Sequence, residues 1–283
     1  MENNVIISNP KRLEELKKSI SKGDAQDLFV LSDFDRTLTK AFIDGQNIPS
    51  FISILRDGNF LTADYAEKAH ALYNKYRPIE IDAKMGKTEK EKAMQKWWNA
   101  HFNLLIESGL SKKDLEKLVG SGRVKFREGF GEFSDFLNKK NIPLIIISSS
   151  GIGGEIISMY LKKAGKLYDN TYILSNSYEW DKEGKAIAVK KPIIHAMNKN
   201  GELIKSSPFF KRIEKRKNIL LLGDSLDDIN MAKGLDFKNL IKISFLNENI
   251  EESIDKYKPN YDIIALNDSP MFFINNLLKE IIK

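Results

Sequence analysis

Asp33 and Asp35 stand one residue apart in Leu31-Ser32-Asp33-Phe34-Asp35-Arg36-Thr37-Leu38-Thr39, directly after the apolar run Leu28 to Leu31. Two carboxylates delivered by a buried strand concentrate negative charge, which is costly unless a cation or an anion-neutralising reaction sits there. Two further apolar runs end in residues of the same functional kind. Leu144 to Ile147 leads into Ser148-Ser149-Ser150-Gly151-Ile152-Gly153, whose hydroxyls and free backbone N–H groups at a helix start form a natural phosphate cradle. Ile219 to Leu222 leads into Gly223-Asp224-Ser225-Leu226-Asp227-Asp228. At adjacent strand ends, Asp33, Asp224 and Asp228 can share a hard divalent cation such as Mg²⁺, which takes oxygen ligands and keeps several waters. Asp227 reads instead as a helix-start residue.

The elements that must position these groups follow from the hydropathy pattern. After Gly122, strands at Ile142–Ser148, Tyr172–Ser175, Asn218–Gly223, Leu240–Phe245 and Asp262–Ala265 alternate with helices at Phe130–Lys139, Gly153–Ala164 and Asp227–Lys233. Continuously apolar strands separated by helices predict a parallel sheet covered on both faces, with ligands bound beyond the strands' carboxyl ends. Upstream, Asn9 and Pro10 open a helix over Lys11–Lys22 with Leu13, Leu16 and Ile20 on one stripe, followed by a strand at Phe29–Ser32. Between about Asp44 and Gly122 the chain reads as helical. A helix over Thr62–Tyr76 stops before Pro78, a second over Thr88–Glu107 opens with a Thr88/Glu91 capping box, and a third runs Ser111–Val119 with Ser111 and Asp114 as its cap pair. The expected architecture is therefore α/β: a three-layer Rossmann-like core over 1–43 and 123–283, with a helical-bundle cap, 44–122, inserted after the first strand.

Composition narrows the function classes. The 283 residues carry a net charge of +6, but the basic residues are scattered among acids, which suits solvated helix faces and gives no nucleic-acid-binding arm. The absence of cysteine excludes disulfides, thiolate catalysis and cysteine metal sites, and fits a reducing compartment. The polar Met1–Gly23 segment lacks a signal-peptide core, and no apolar run approaches the ~20 residues that span a bilayer. A soluble cytoplasmic protein is expected.

The set DFDRTLT, IIISSSGIGG, an intervening lysine and LLLGDSLDD resembles the haloacid dehalogenase (HAD) superfamily of aspartate-nucleophile phosphohydrolases. KYRPIEID, the tryptophan-containing cap helix, KKPIIHAMNK and LLLGDSLDDINMA are similar to its cytosolic 5′-nucleotidase III, or pyrimidine 5′-nucleotidase, branch. The resemblance implies Mg²⁺-dependent hydrolysis of a small phosphomonoester, a nucleoside 5′-monophosphate of pyrimidine type. It makes Asp33 the nucleophile and Asp35 the acid/base, with metal ligation by Asp33, Asp224, the Asp35 carbonyl and, in a supporting position, Asp228. It assigns phosphate binding to the loop of Ser149, Ser150 and Gly151, with Ser148 as the alternative to Ser149. The family lysine maps to Lys190, with Lys191 as the alternative.

Trp97 and Trp98 fall where the branch places cap aromatics near the base, either as a stacking platform or as bundle core. Lys96 stands where the branch carries an acidic base contact, which keeps a sugar phosphate or phosphoamino acid open as substrate. A phosphotransferase using the same Asp33 intermediate is the other alternative. His70, His101 and His195 have no partner at metal-ligand spacing, so zinc is not expected, and His195 reads as structural.

Overall fold

The computed structural model describes residues 4–82 and 84–282. In chain order the elements are β1 (Val5–Ile7), α1 (Pro10–Ile20), β2 (Leu28–Ser32), β3 (Phe42–Ile43), β4 (Gln46–Asn47), α2 (Phe51–Asp57), α3 (Tyr65–Ile81), α4 (Lys87–Glu107), α5 (Lys112–Gly120) and α6 (Phe130–Lys139). They continue with β5 (Leu144–Ser148), α7 (Glu155–Lys163), β6 (Thr171–Ser175), β7 (Tyr178–Trp180), β8 (Ala186–Val189), α8 (Gly201–Lys205), β9 (Asn218–Gly223), β10 (Asn239–Leu246), α9 (Ile250–Tyr257), β11 (Ile263–Leu266) and α10 (Phe272–Ile281).

Seven strands form one sheet in the order β1-β11-β10-β9-β2-β5-β6, parallel throughout except for β1 at the edge. Alternate residues of each strand serve opposite faces, which is why the runs are apolar at every position. Val30, Leu144, Ile146, Leu220 and Leu222 pack with α1, α6, α7 and α10 on one face; Phe29, Leu31, Ile145, Ile147, Ile219 and Leu221 pack with α8, α9 and the 226–232 turn on the other. Ser32 pairs with Leu222 of β9 and Ile146 of β5, so the three strands that end in functional residues are immediate neighbours with their carboxyl ends side by side.

Helices α2 to α5 lie between β2 and α6 in the chain. Their apolar faces do not form a core of their own. Phe51, Ile54, Leu55, Tyr65, Phe102, Leu105, Leu115 and Leu118 belong to the same buried cluster as one face of the sheet. The polypeptide enters this region through an Asp44-Gly45 hairpin between β3 and β4, where both residues adopt left-handed backbone (φ 50° and 76°).

Several elements differ from the pattern in the sequence. Helix α3 runs through Pro78 to Ile81, because the missing proline N–H exposes only the carbonyl of solvent-facing Asn74 to water. Helix α4 begins at Lys87 after Gly86, so the Thr88/Glu91 box does not form, whereas the Ser111/Asp114 cap does, with Ser111 N–H donating to Asp114 Oδ2 at 3.1 Å. The stretch expected as a helix over Asp227–Lys233 is 3₁₀ from Leu226 to Ala232. Edge strand β1, the β7–β8 hairpin, α2, α9 and α10 lie outside the elements that the hydropathy pattern predicts. Among the described residues no helix is long and apolar enough to cross a membrane.

One buried side chain fixes the loop after β2. Arg127 is 1% exposed, and its guanidinium donates to the carbonyls of Thr37 (2.8 Å), Arg36 (2.6 Å) and Ser269 (2.9 Å), pairs with Asp268 at 2.8 Å and lies 3.9 Å above the Phe245 ring. It thereby clamps residues 36–39 to the β11–α10 connection. Arg127→Met is expected to lower unfolding free energy by about 3–5 kcal/mol, since Asp268 and three carbonyls lose a buried partner. Urea denaturation followed by circular dichroism measures it, and a loss below about 1 kcal/mol would contradict the clamp.

Candidate active site

Asp33 follows the last residue of β2, and its N–H donates to Leu222 O at 3.0 Å, so β9 holds the backbone that carries it. Lys199 Nζ lies 2.6 Å from Asp33 Oδ1 and 2.9 Å from Asp228 Oδ1, and all three residues are buried. Oxygens of Asp33, Asp224 and Asp228 lie within 4.8 Å of one another. Asp228 Oδ2 accepts from the N–H groups of Asp224 (3.1 Å) and Ser225 (3.0 Å) and from Ser225 Oγ (3.0 Å), which leaves Oδ1 facing Lys199. Position 223 must be glycine for this turn, because a Cβ there would come within 2.5 Å of Asp228 Cβ. The hydroxyls of Tyr257 and Tyr261 donate to the Asp224 and Ser225 carbonyls and hold the turn from outside.

Burial dominates the electrostatics. It pushes Asp33 up to about 7, with Lys199 opposing and Asp228 adding to the rise. It raises Asp35 to about 6 against the pull of Lys199 and Arg36, and drives Asp224 well above the usual carboxylate range, with Asp228 and Asp33 reinforcing it. One ammonium is too little for this many carboxylates. A donor set of hard, crowded, desolvated oxygens fits a divalent oxygen-seeking cation such as Mg²⁺.

The second motif adjoins the first. Ser148 closes β5 as a buried residue in register with Ser175, while Ser149 and Ser150 begin the loop and are half-buried. Asn176 ties this loop to the segment leading toward Lys199: its Nδ2 donates to Ser150 O (3.3 Å) and Ile194 O (2.8 Å), and its Oδ1 accepts from Ile194 N (2.8 Å).

The lysine expected at the site is not the one found there. Lys190 follows β8 of an external hairpin, bonds through its backbone to Ser177 O and is exposed, and exposed Lys191 reaches Asn99 Oδ1 at 2.9 Å. Lys199 takes the place instead. The readable signal was the hairpin itself: Asp181-Lys182-Glu183-Gly184 between two short runs marks a β turn, and a lysine at the end of its second strand points away from the sheet's carboxyl edge. Asp227 is exposed, consistent with a turn residue, and His195 is buried with its backbone N–H bonded to Asn198.

A cavity of about 190 Å³ opens between α2, α3, α4 and the Ser149 loop. Helical spacing builds it: Ile52 and Arg56 from α2, Tyr65, Ala69 and Tyr73 from α3, and Trp97, Trp98 and His101 from α4 converge on Gly151. Trp97 stacks on Tyr76 at 5.8 Å, and Trp98 meets His101 edge-on at 5.6 Å. Lys96 is exposed and is not among the residues that line the cavity. A second hollow of about 180 Å³ is lined by Asp35 and shares Ser50 and Ser53 with the first. His101 Nε2 lies 2.7 Å from the Gly151 carbonyl; a carbonyl only accepts, so Nε2 carries the proton.

A profile of the family "Pyrimidine 5'-nucleotidase (UMPH-1)" matches residues 36–282. The 7-methylguanosine phosphate-specific 5′-nucleotidase of Mus musculus is 34% identical over 283 residues, covering 100% of this chain and 94% of that protein. The crystal structure of cytosolic 5′-nucleotidase IIIB bound to cytidine superposes with a TM-score of 0.91 at 28% identity, over 99% of this chain and 94% of that one. A phospho-aspartyl intermediate analogue of phosphoserine phosphatase shares the fold, with a TM-score of 0.51 at 19% identity over 91% of this chain and 99% of that one.

Burial holds His101 down at about 4 in the folded protein, below the ~6.5 of an unfolded histidine. The unfolded chain therefore binds the extra proton first, and this contribution to stability is complete above pH ~6.5 and lost as pH falls toward 4. His101→Gln keeps a donor for Gly151 and removes the titration, so it is expected to flatten the stability profile across that window. Imidazole NMR signals of His101 titrating near 6.5 in the native protein would contradict this.

Proposed function

The chain belongs to the pyrimidine 5′-nucleotidase (UMPH-1) family of HAD-type phosphomonoester hydrolases, and from that premise we propose that it hydrolyses pyrimidine nucleoside 5′-monophosphates through an aspartyl-phosphate on Asp33. The observation that carries this reading is the ammonium of Lys199 between Asp33 and Asp228 at the shared end of β2 and β9. A strand-end carboxylate oriented by a buried cation is ready for nucleophilic attack on phosphorus. The nearby hydroxyl and N–H groups can receive the phosphoryl oxygens.

In this mechanism an Asp33 oxygen attacks phosphorus while Asp35 gives its proton to the departing ribose oxygen. Asp35, raised by burial to about 6, then takes a proton from the water that cleaves the phosphoryl-enzyme. Lys199, Ser149 and the N–H groups of Ser150 and Gly151 hold the phosphoryl oxygens. Asp33, Asp224 and the Asp35 carbonyl would hold Mg²⁺, supported by Asp228; the bound ion supplies positive charge where the transferring group accumulates negative charge. Residues 44–122 act as a cap that excludes water during transfer, and Trp97 and Trp98 contribute the wall against which the base lies. The cytidine bound by the related IIIB enzyme supports a pyrimidine, and a cysteine-free chain with relatives named cytosolic supports a soluble cytoplasmic enzyme.

Assay of purified protein over nucleoside monophosphates, sugar phosphates and phosphoamino acids, with Mg²⁺ and with excess chelator, is expected to give turnover of CMP and UMP that chelation removes. Asp33→Asn should abolish it with the circular dichroism spectrum retained; turnover of an aryl phosphate by that variant at the wild-type rate would disprove the nucleophile. Lys199→Ala is expected to cut kcat/KM by about 10² or more, and Lys190→Ala by less than about threefold.

A further inference from the structure

Two successive peptide units of the serine loop are held from opposite sides. The Ser150 carbonyl accepts from Asn176 Nδ2 at 3.3 Å, so the core fixes that unit, and because the peptide is trans the Gly151 N–H on its other edge points the opposite way. The next unit is held by α4: the Gly151 carbonyl accepts from His101 Nε2 at 2.7 Å, while the Ile152 N–H of the same unit donates to Ser150 Oγ at 3.4 Å. Fixing both planes fixes the two soft dihedrals between them, which matters most at glycine, the residue with the widest backbone freedom. Among the described residues the N–H groups of Ser150 and Gly151 donate to no acceptor, so both are free to meet phosphoryl oxygens. The helices come very close here. A Cβ on Gly151 would lie 3.0 Å from Ile52 Cγ1 and 3.1 Å from His101 Nε2, so α2 and α4 close directly on the loop's backbone. His101 is seated against Trp98 at 5.6 Å and Phe102 at 5.4 Å between ring centroids. Asn99, two residues earlier on α4, meets the core elsewhere, accepting from Lys191 Nζ at 2.9 Å.

We propose that His101 is a positioning residue for phosphoryl transfer: by donating to the Gly151 carbonyl it turns the Ser150 and Gly151 N–H groups toward the phosphoryl oxygens, so the loop takes its binding geometry only with α4 docked on it. The inference rests on the reading of this loop as the phosphate cradle. In this role His101 touches no reacting atom. Its effect falls on the phosphoryl group that every phosphomonoester carries, and is therefore the same for a substrate with no base. Ring contacts alone do not supply it. Phenylalanine keeps the seat between Trp98 and Phe102 and leaves the Gly151 carbonyl without its donor, whereas glutamine offers that carbonyl an amide N–H. The coupling is also reciprocal: the factor by which the His101 bond tightens phosphate binding is the factor by which bound phosphate protects the bond.

The test measures kcat/KM for CMP and for para-nitrophenyl phosphate with Mg²⁺, together with calorimetric binding of inorganic phosphate and of cytidine. His101→Phe is expected to lower both kcat/KM values by about tenfold or more and to weaken phosphate by a similar factor, with cytidine binding kept within about threefold. His101→Gln should stay within about threefold of wild type throughout, and so should Asn99→Ala, which loosens α4 from the core without touching the loop. A loss confined to CMP, with the aryl phosphate and inorganic phosphate unmoved, overturns the assignment. So does a loss in Asn99→Ala equal to that in His101→Phe. Should His101→Phe not fold, the wild-type protein decides: exchange of the His101 Nε2–H with solvent, followed by NMR, is expected to slow about tenfold at saturating inorganic phosphate, and a rate that phosphate leaves unmoved overturns the coupling. Absence of CMP turnover alone would remove the nucleotidase reading, since the aryl phosphate and inorganic phosphate decide this assignment without it. No binding of phosphate by wild type would overturn the cradle and this assignment with it.

Discussion

The arrangement of the whole molecule answers one electrostatic constraint: Asp33, Asp224 and Asp228 bring carboxylate oxygens within 4.8 Å of one another in a desolvated site. Such a cluster is unstable unless cations compensate it, and the fold supplies one in Lys199, delivered by a segment that does not belong to the sheet. The sheet order places β9, β2 and β5 side by side, so that two strands contribute the acids and the third opens into a hydroxyl-rich loop. Each strand is apolar on both faces because helices cover both, and the polar groups are thereby confined to the carboxyl edge. Arg127 and Asn176 serve the same constraint at one remove, fixing the backbone of residues 36–39 and of the Ser150 loop through buried hydrogen bonds.

Much of this was legible in the sequence, for physical reasons that differ from element to element. Asp33, Asp224 and Asp228 could be placed together because Asp33 and the 224–228 segment come at the ends of two apolar runs, and a strand buried on both faces has only its ends available for charge. Helix α1 announced itself through Asn9, whose Oδ1 accepts from Arg12 N at 3.0 Å. The catalytic-type lysine was not legible in this way. A lysine's position relative to a strand end depends on how the intervening chain folds, and β7–β8 consumes fourteen residues, counting Ser177 to Lys190, in a hairpin outside the main sheet. Lys190 therefore ends where the hairpin returns, and the nine residues to Lys199 carry the chain back over the carboxyl edge.

The region between β2 and α6 was read correctly as helical and less well in detail. Its helices share one apolar cluster with the sheet, so the sequence carries no separate hydrophobic pattern that would mark an independent unit. Helix α2 spans only Phe51–Asp57, too short for periodicity to reveal, yet it carries Ser53 and Arg56 into the cleft. Lys96 stands where the resemblance implies an acidic base contact. One residue along a helix is a rotation of about 100°, which turns Lys96 to solvent while its neighbours face the cavity.

The buried carboxylates and Lys199 gather at the ends of β2 and β9, whereas the aromatic cavity is built from α2, α3 and α4 with Gly151. Because the acids sit at strand ends and the aromatic cavity is walled by α2, α3 and α4, substitutions in those helices can reshape the cavity without displacing the carboxylates.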